Sequence, residues 1–397
     1  MRNRGELKGT ADAVIVGGGC IGLAIARALG RRGARVTLME RGGRLGAEAS
    51  HAAGGMLAPQ AEADYRDAFF ELAAASRDLY PAFAAALVEE TGIDIELDRT
   101  GTLYLAFTEK DEAEIEHRYA WQQRVGLSVE RLSADEARAL EPAISPRVRL
   151  ALRFPLDCQV ENRRLVTALA ASAARYGVFL LTGTEVARVR VEAGSVRGVE
   201  TSRGFVSAGV VIIASGAWAS FITGEISSAG SSSVARENRA MLSSAIEPIR
   251  GQMLCFEARP PLIRHVLYTP RGYLVPRRDG RLLAGSTAEQ AGFDKSVTGR
   301  GVHTITTHAL EIAPGVGDLP LVASWAGLRP RAEDDLPVIG ACADVRGLYY
   351  ATGHYRNGIL LAPITGELIA DLIAGGAPAT SLVEAFTPER FRRATVS

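Results

Sequence analysis

The sequence has few cysteines, and those it has are widely separated. Four occur in 397 residues, none in a Cys-x-x-Cys pair: Cys20, Cys158, Cys255 and Cys342. This spacing excludes a zinc site built from neighbouring ligands and a small scaffold held by disulfides. We therefore expect isolated thiols in a reducing compartment.

The sequence also lacks an excess of charge of either sign. It contains 45 Lys plus Arg and 45 Asp plus Glu, so the formal net charge is +0. Proteins that bind nucleic acid through its phosphates normally carry a basic excess. We therefore expect no nucleic-acid partner.

No apolar run is long enough to span a bilayer. Residues 210–221 fall short of the roughly 20 residues required, and glycines interrupt the first apolar stretch, which makes it a poor signal peptide. We expect a cytoplasmic protein without a membrane partner. The hydrophobic fraction of 47% is still sufficient for a large core.

The first forty residues predict a β-α-β unit. An apolar strand at 13–16 is followed by glycines, a helical pattern at 21–29 and a second strand at 35–39. Such a unit implies a parallel sheet with a right-handed crossover. Short strands with turns between them at residues 252–285 predict an antiparallel second sheet. The fold class is therefore α/β, a Rossmann-like domain interleaved with an α+β domain.

The turn after the first strand matches a dinucleotide-binding fingerprint. Gly17, Gly19 and Gly22 have the G-x-G-x-x-G spacing, and Glu40 closes the next strand. The glycines permit a tight turn and close approach to a pyrophosphate, and the helix N-terminus favours its negative charge. Glu40 could accept hydrogen bonds from ribose hydroxyls and would repel a 2′-phosphate. The fingerprint alone does not separate NAD from FAD.

Two later segments place arginines beside glycines. Arg329 precedes Pro330, which biases its backbone towards an extended conformation, and we expect it in a loop. Arg356 lies in a Gly-rich turn before a helix. Arginine is well suited to binding a carboxylate with two parallel hydrogen bonds.

Taken together, these segments resemble a known family. The fingerprint, the small-residue run at 49–59, Trp-Ala-Gly-Leu-Arg-Pro at 325–330 and Gly-His-Tyr-Arg-Asn-Gly at 353–358 resemble the glycine oxidases of thiamine biosynthesis. These are flavoenzymes of the D-amino-acid oxidase and sarcosine oxidase superfamily. The resemblance covers nearly the whole chain except a Ser-rich insertion at 224–244, expected to be a mobile surface segment.

The resemblance implies a division into domains. The FAD-binding domain would be discontinuous, with residues 1–90, 150–220 and 325–397, and the substrate-binding domain would comprise 91–149 and 245–324. It also implies that Arg329 and Tyr273 bind the substrate carboxylate, with Arg356 and Met56 beside the substrate. The residues expected to contact FAD are Gly17, Gly19, Cys20, Ile21, Gly22, Glu40, Arg41, Ala49, Ser50, Gly54, Gly55, Met56, Val186, Ser215, Gly216, His354, Tyr355, Arg356, Asn357, Gly358, Ile359 and Leu360.

The implied reaction is oxidation of a small amino acid, glycine first. Hydride transfer to FAD would give an imine, water would convert the imine to glyoxylate and ammonia, and dioxygen would be reduced to hydrogen peroxide. No catalytic side-chain base and no metal are expected, because the cofactor carries the chemistry. Sarcosine, D-alanine and D-proline remain open as substrates, and so does the formation of a homo-oligomer.

Three alternatives remain at this point. The first is a flavin-dependent amine dehydrogenase that passes electrons to a quinone or carrier protein. The second is an NAD-dependent dehydrogenase, and the third is a catalytically silent protein that keeps FAD. A covalent FAD link through His51 is not expected, because Ser50 stands where the related covalent motif Trp-His-Ala-Ala-Gly has tryptophan.

Overall fold

The computed structural model describes residues 9–222, 245–376 and 381–391. Its strands are β1 (Gly9–Val16), β2 (Val36–Met39), β3 (Met56–Leu57), β4 (Thr102–Ala106), β5 (Glu130–Ser133), β6 (Leu150–Phe154), β7 (Cys158–Gln159), β8 (Phe179–Leu181), β9 (Val186–Glu192), β10 (Ser195–Thr201), β11 (Gly204–Ile213), β12 (Ile246–Glu257), β13 (Val266–Tyr268), β14 (Tyr273–Pro276), β15 (Arg281–Gly285), β16 (Leu321–Ala332), β17 (Val338–Ala341) and β18 (Leu348–Thr352).

The α-helices of the described residues differ widely in length. They are α1 (Cys20–Arg31), α2 (Ala49–Ala52), α3 (Pro59–Glu62), α4 (Ala68–Thr91), α5 (Glu109–Arg124), α6 (Ala134–Leu140), α7 (Asn162–Arg175), α8 (Gly299–Ile312), α9 (Ala362–Ile373) and α10 (Ser381–Glu384). No helix in these ranges has both the length and the apolar character needed to cross a membrane.

The first sheet is built around the predicted β-α-β unit. Its order is β17-β18-β11-β1-β2-β8, and β10 and β9 extend from β11. β1 is parallel to both β2 and β11. Helices α1, α4, α7 and α9 pack together beside this sheet, and residues such as Ile15, Leu23 and Leu38 form their shared core.

The second sheet is mostly antiparallel. Its order is β16-β12-β15-β14-β13-β4-β6-β5, and the pairing of β13 with β4 is parallel. The predicted fold class, a parallel-rich α/β domain interleaved with an antiparallel one, is therefore confirmed.

Arg329 lies in a strand, so its predicted placement in a loop was wrong. It pairs with Ile249 within the long β12–β16 ladder. The extended backbone that Pro330 favours also suits a strand, and β16 is the last strand on its side of the described sheet. Proline is tolerated there because an edge strand has neighbours on one side only.

Two strands fall on the other side of the predicted domain division. β6 belongs to the second sheet, although 150–220 had been assigned to the FAD-binding domain. β16 also belongs to the second sheet, and it crosses the predicted boundary between 245–324 and 325–397. The rest of the division remains a prediction, and the insertion at 224–244 lies outside the described residues.

The four cysteines are all buried, and none forms a disulfide. Cys20 begins α1, and Cys158 lies in β7. Burial raises the pKa of the Cys20 and Cys158 thiols to about 11, so both are protonated at neutral pH.

Candidate active site

A cavity of about 590 Å³ lies between the two sheets. Its walls include the glycine turn after β1, the chain from Gly46 to Met56, the end of β11, and the loop between β18 and α9. Pockets of this size commonly hold organic ligands and cofactors. The site is therefore assembled from segments far apart in the sequence.

The glycine turn brings α1 unusually close to the neighbouring strands. Gly17 has φ +115°, and a β-carbon there would lie 2.4 Å from the carbonyl oxygen of Ala214. A β-carbon at Gly22 would lie 2.0 Å from the carbonyl oxygen of Gly17. Gly17, Gly19, Cys20 and Ile21 line the cavity as predicted, whereas Gly22 is not in the lining and serves this close packing.

Glu40 is positioned by backbone donors at the end of β2. One carboxylate oxygen accepts a hydrogen bond from the Gly18 N–H at 2.9 Å, and the other accepts from the Gly42 N–H at 2.7 Å. Beside it, the Arg41 guanidinium lies 4.0 Å from the centre of the Trp218 ring. Glu40, Arg41 and Val186 all line the cavity.

The small-residue run follows the cavity wall next to α1. The Ser50 hydroxyl accepts a hydrogen bond from the Cys20 N–H at 3.0 Å. The predicted residues Ala49, Ser50, Gly54, Gly55 and Met56 are all in the lining.

A buried arginine that sequence reasoning did not single out fixes this run. Arg277 donates to the carbonyl oxygens of Gly54 at 2.8 Å and Val160 at 2.7 Å. It also donates to the side chains of Gln159 and Asn162. Burial lowers its pKa to about 10, which still leaves it charged at neutral pH. Residues 273–277 read Tyr-Leu-Val-Pro-Arg, so Arg277 lies four positions after the predicted site residue Tyr273, and this proximity was the available signal.

The loop between β18 and α9 supplies another part of the cavity wall. His354, Tyr355, Arg356, Asn357, Gly358 and Ile359 line the cavity, together with Ser215 and Gly216. The His354 ring is hydrogen-bonded to the Thr365 hydroxyl at 3.1 Å, and burial lowers its pKa to about 3, so it is neutral. Leu360 is not in the lining: it is a core residue whose carbonyl accepts from Ser76.

Arg329 enters the cavity with neutral partners. It donates to the main-chain oxygen of Thr287 at 2.9 Å and to the Ser286 hydroxyl at 2.8 Å. A β-carbon at Gly251 would lie 2.1 Å from its guanidinium, so this glycine provides the space that Arg329 fills. Within the described ranges, no carboxylate forms an ion pair with it. This arrangement suits an arginine that binds an anionic ligand.

Arg356 has different surroundings. Its guanidinium forms an ion pair with Glu62 at 3.1 Å and donates to the Tyr268 hydroxyl at 2.6 Å. The negative charge of Glu62 raises the pKa of Arg356 well above its ordinary value. Sequence reasoning missed both partners, because neither belongs to a motif that carried the resemblance.

Tyr273 lies beside the small-residue run. A β-carbon at Gly54 would lie 3.3 Å from its ring, and the ring stacks on Tyr268 with centroids 6.2 Å apart. Its hydroxyl donates to the sulfur of Met253 at 3.2 Å. A thioether is a weak acceptor, so a ligand carboxylate could replace it. Arg329, Tyr273, Arg356 and Met56 thus line one cavity.

His51 is not in the cavity lining. Its backbone carbonyl accepts a hydrogen bond from Asn162. Burial, assisted by the charges of Arg163 and Arg44, lowers the pKa of its side chain. Among the residues that the structure describes, no group of three His, Cys, Asp or Glu side chains is placed to hold a metal.

Comparison with known families identifies this architecture. Residues 12–372 match the family model described as DAO, FAD dependent oxidoreductase. The chain belongs to this family.

Relatives of known activity cover the same length. Glycine oxidase from Geobacillus kaustophilus is 38% identical over 91% of this chain and 92% of its own. The crystal structure of glycine oxidase from Geobacillus kaustophilus matches with a TM-score of 0.89 and 37% identity, covering 96% of this chain and 99% of that one. L-proline dehydrogenase from P. horikoshii matches with a TM-score of 0.83 and 25% identity, covering 97% and 98% of the two chains. The chain is thus similar to glycine oxidases in sequence and fold.

The cavity fits the cofactor that defines the family. The glycine turn and the N-terminus of α1 line the cavity, and a helix N-terminus favours the negative charge of a pyrophosphate. Ser215 lines the cavity, and its buried hydroxyl oxygen has no hydrogen-bond partner among the residues that the structure describes. Such an atom normally has a partner, and a bound FAD could provide it.

Proposed function

We propose that this FAD-dependent oxidoreductase oxidises glycine or another small amino acid, with dioxygen as electron acceptor. The products would be an imine or glyoxylate, ammonia and hydrogen peroxide. The observation that carries the proposal is Arg329, a guanidinium in the cavity whose partners among the described residues are all neutral. A small amino acid offers the carboxylate that would complete its bonding.

The residues of the chain would bind and orient the substrate. Arg329 would hold the carboxylate through charge-assisted hydrogen bonds, and Tyr273 would add a hydroxyl donor. Met56 and the tightly held Gly54 segment would limit the space next to the α-carbon. Bound FAD would supply the redox chemistry, accepting two electrons from the substrate.

The decisive experiment is anaerobic titration of the purified yellow protein with glycine, followed through the visible flavin spectrum. We expect the oxidised-flavin band to bleach. If glycine, sarcosine, D-alanine and D-proline all leave the band unchanged, the proposal is wrong.

A second candidate is a flavin-dependent amine dehydrogenase. The similarity to L-proline dehydrogenase supports it, because that name denotes an acceptor other than dioxygen. Peroxide yield under air separates the two: about one peroxide per amino acid oxidised supports the oxidase, whereas rapid turnover only with an added quinone supports the dehydrogenase.

We also propose that FAD binds without a covalent bond. The placement of His51 outside the cavity lining supports this. Acid precipitation should release all flavin into the supernatant, and flavin retained in the pellet would contradict it. A cytoplasmic location remains part of the proposal, and gel filtration would decide whether the chain forms a homo-oligomer.

A further inference from the structure

Arg329 and Arg356 line the same cavity, and within the part of the chain that the structure describes only Arg356 has a carboxylate partner. Arg329 is bonded to a hydroxyl and a main-chain carbonyl. Arg356 forms an ion pair with Glu62 and a hydrogen bond to Tyr268. Its side chain nevertheless retains 41% of its surface exposed, so the ion pair does not bury it.

Glu62 is held in place by the fold. It is the last residue of the short α3, and its side chain is 19% exposed. The buried carboxylate of Asp157 accepts hydrogen bonds from the N–H groups of Gln60 at 3.3 Å and Ala61 at 3.0 Å. These bonds fix the two residues directly before Glu62. The ion pair between Glu62 and Arg356 is therefore held in the cavity wall by the fold.

The second sheet separates the protein partners of the two arginines by two strands. Arg329 is bonded to Ser286 and Thr287, which directly follow β15, and Arg356 is bonded to Tyr268 in β13. β14 lies between these strands. Two strand spacings amount to about 10 Å, a span suited to a short molecule with an acidic group at each end.

We infer that Glu62 makes the cavity select amino acids with a single carboxylate. It occupies Arg356, the second guanidinium, which would otherwise bind a second acidic group of the substrate. The inference rests on the proposed function, in which Arg329 takes the first carboxylate.

The physical argument is one of charge. A second carboxylate approaching Arg356 would meet the negative charge of Glu62 in a partly desolvated cavity, where repulsion is stronger than in water. It would also have to compete with an ion pair and a hydrogen bond that already engage one nitrogen of the guanidinium. Repelling an unwanted ligand with a charge of the same sign is a general route to specificity.

The test compares two ligands that cannot be oxidised as amines. Methoxyacetate has one carboxylate, and diglycolate adds a second at the other end. Calorimetric dissociation constants are measured with FAD-loaded wild type and Glu62→Gln. We expect the affinity for diglycolate, relative to methoxyacetate, to rise about tenfold in the variant, the gain from one charge-assisted bond. A rise below about threefold overturns the inference.

Arg356→Gln gives an independent measurement should Glu62→Gln fail to fold. It leaves the carboxylate of Glu62 without its cation, so relative affinity for diglycolate should fall about tenfold. An unchanged ratio overturns the inference here too. The matched control is Glu130→Gln, which removes an exposed ion pair with Arg153 outside the cavity and should leave the ratio at the wild-type value.

The two proposals fail in different ways. If methoxyacetate does not bind wild type and no amino acid reduces the flavin, the proposed function is wrong. The other case is that methoxyacetate binds wild type and loses affinity in Arg329→Ala. If the ratio of the dissociation constants for diglycolate and methoxyacetate is then the same in wild type and Glu62→Gln, only the inference about selection is wrong.

Discussion

Arg329 shows how a single side chain can carry a functional argument. Two of its donors are met by the neutral oxygens of Ser286 and Thr287, and Gly251 leaves the space that the guanidinium fills. An arginine that is held in place but not neutralised stays available for an anion. Arg356 is also held in place, but by a carboxylate, and the two therefore have different roles.

Replacing Arg329 by alanine should weaken catalysis with glycine. The loss of charge-assisted binding is worth about 1.5–3 kcal/mol, or roughly 10–100-fold in kcat/KM. Steady-state kinetics with glycine measure it. The control is Arg331→Ala on the same strand, which removes ion pairs with Asp335 and Glu247. An unchanged kcat/KM in Arg329→Ala would contradict the assignment.

Asp157 should make stability depend on pH. Burial raises its pKa to about 7, above the unfolded value of about 3.9. The folded state then binds the proton more tightly, so this group's contribution to stability declines as pH rises from roughly 4 to 7. The variant Asp157→Asn lacks this decline.

Melting temperatures at pH 5 and pH 8 test this expectation. Relative to wild type, Asp157→Asn should gain in Tm on going from pH 5 to pH 8. The exposed Asp135, replaced in the same way, should show no such gain. A difference between Asp157→Asn and wild type that does not change with pH would contradict the raised pKa.

At the scale of elements, the close packing of α1 against the turn after β1 requires a residue without a side chain at position 22. The β-carbon that Gly22 lacks would lie 2.0 Å from the Gly17 carbonyl oxygen, which is main-chain and cannot turn aside. Closer packing between a helix and a strand is the recognised purpose of the third glycine in this fingerprint.

We expect Gly22→Ala to be purified without FAD, since overpacking of this kind costs about 1–3 kcal/mol or more and displaces the turn that faces the pyrophosphate. The ratio of flavin absorbance to protein absorbance measures it. Gly43→Ala is the control, because a β-carbon there meets nothing within 4 Å. Full flavin content in Gly22→Ala would show that the turn tolerates the displacement.

Elements also show where prediction from sequence succeeds and where it stops. The glycine turn, Glu40 and the loop at 353–359 were predictable because each motif is continuous and its geometry is local. The contacts of Arg277 with Gly54 and of Arg356 with Glu62 join residues more than two hundred positions apart. They depend on how distant segments of the chain come together in the fold, which no local pattern encodes.

At the scale of the whole molecule, the cavity lies between two sheets that share the chain. Segments cross between them several times, so a ligand in the cavity contacts both. Lys295, for example, follows β15 of the second sheet and forms an ion pair at 2.9 Å with Glu48, which follows β2 of the first sheet. A bound cofactor should therefore stabilise the molecule as a unit.

Adding FAD to apoprotein should raise Tm. A ligand at a hundred times its dissociation constant contributes about 2.7 kcal/mol. A thermal scan with and without FAD measures the shift, and NAD at the same concentration should leave Tm unchanged. A shift with NAD and none with FAD would favour the NAD-dependent alternative.

The four buried cysteines have a consequence for an enzyme that releases peroxide. Hydrogen peroxide oxidises the thiolate, which only a small fraction of a high-pKa thiol provides. Burial raises the pKa of Cys255 and Cys342 as it does for the other two. If the proposed reaction is correct, the protein produces hydrogen peroxide, but its four cysteine thiols are buried and protonated. Sulfenic acid should therefore form slowly at these positions even during prolonged turnover.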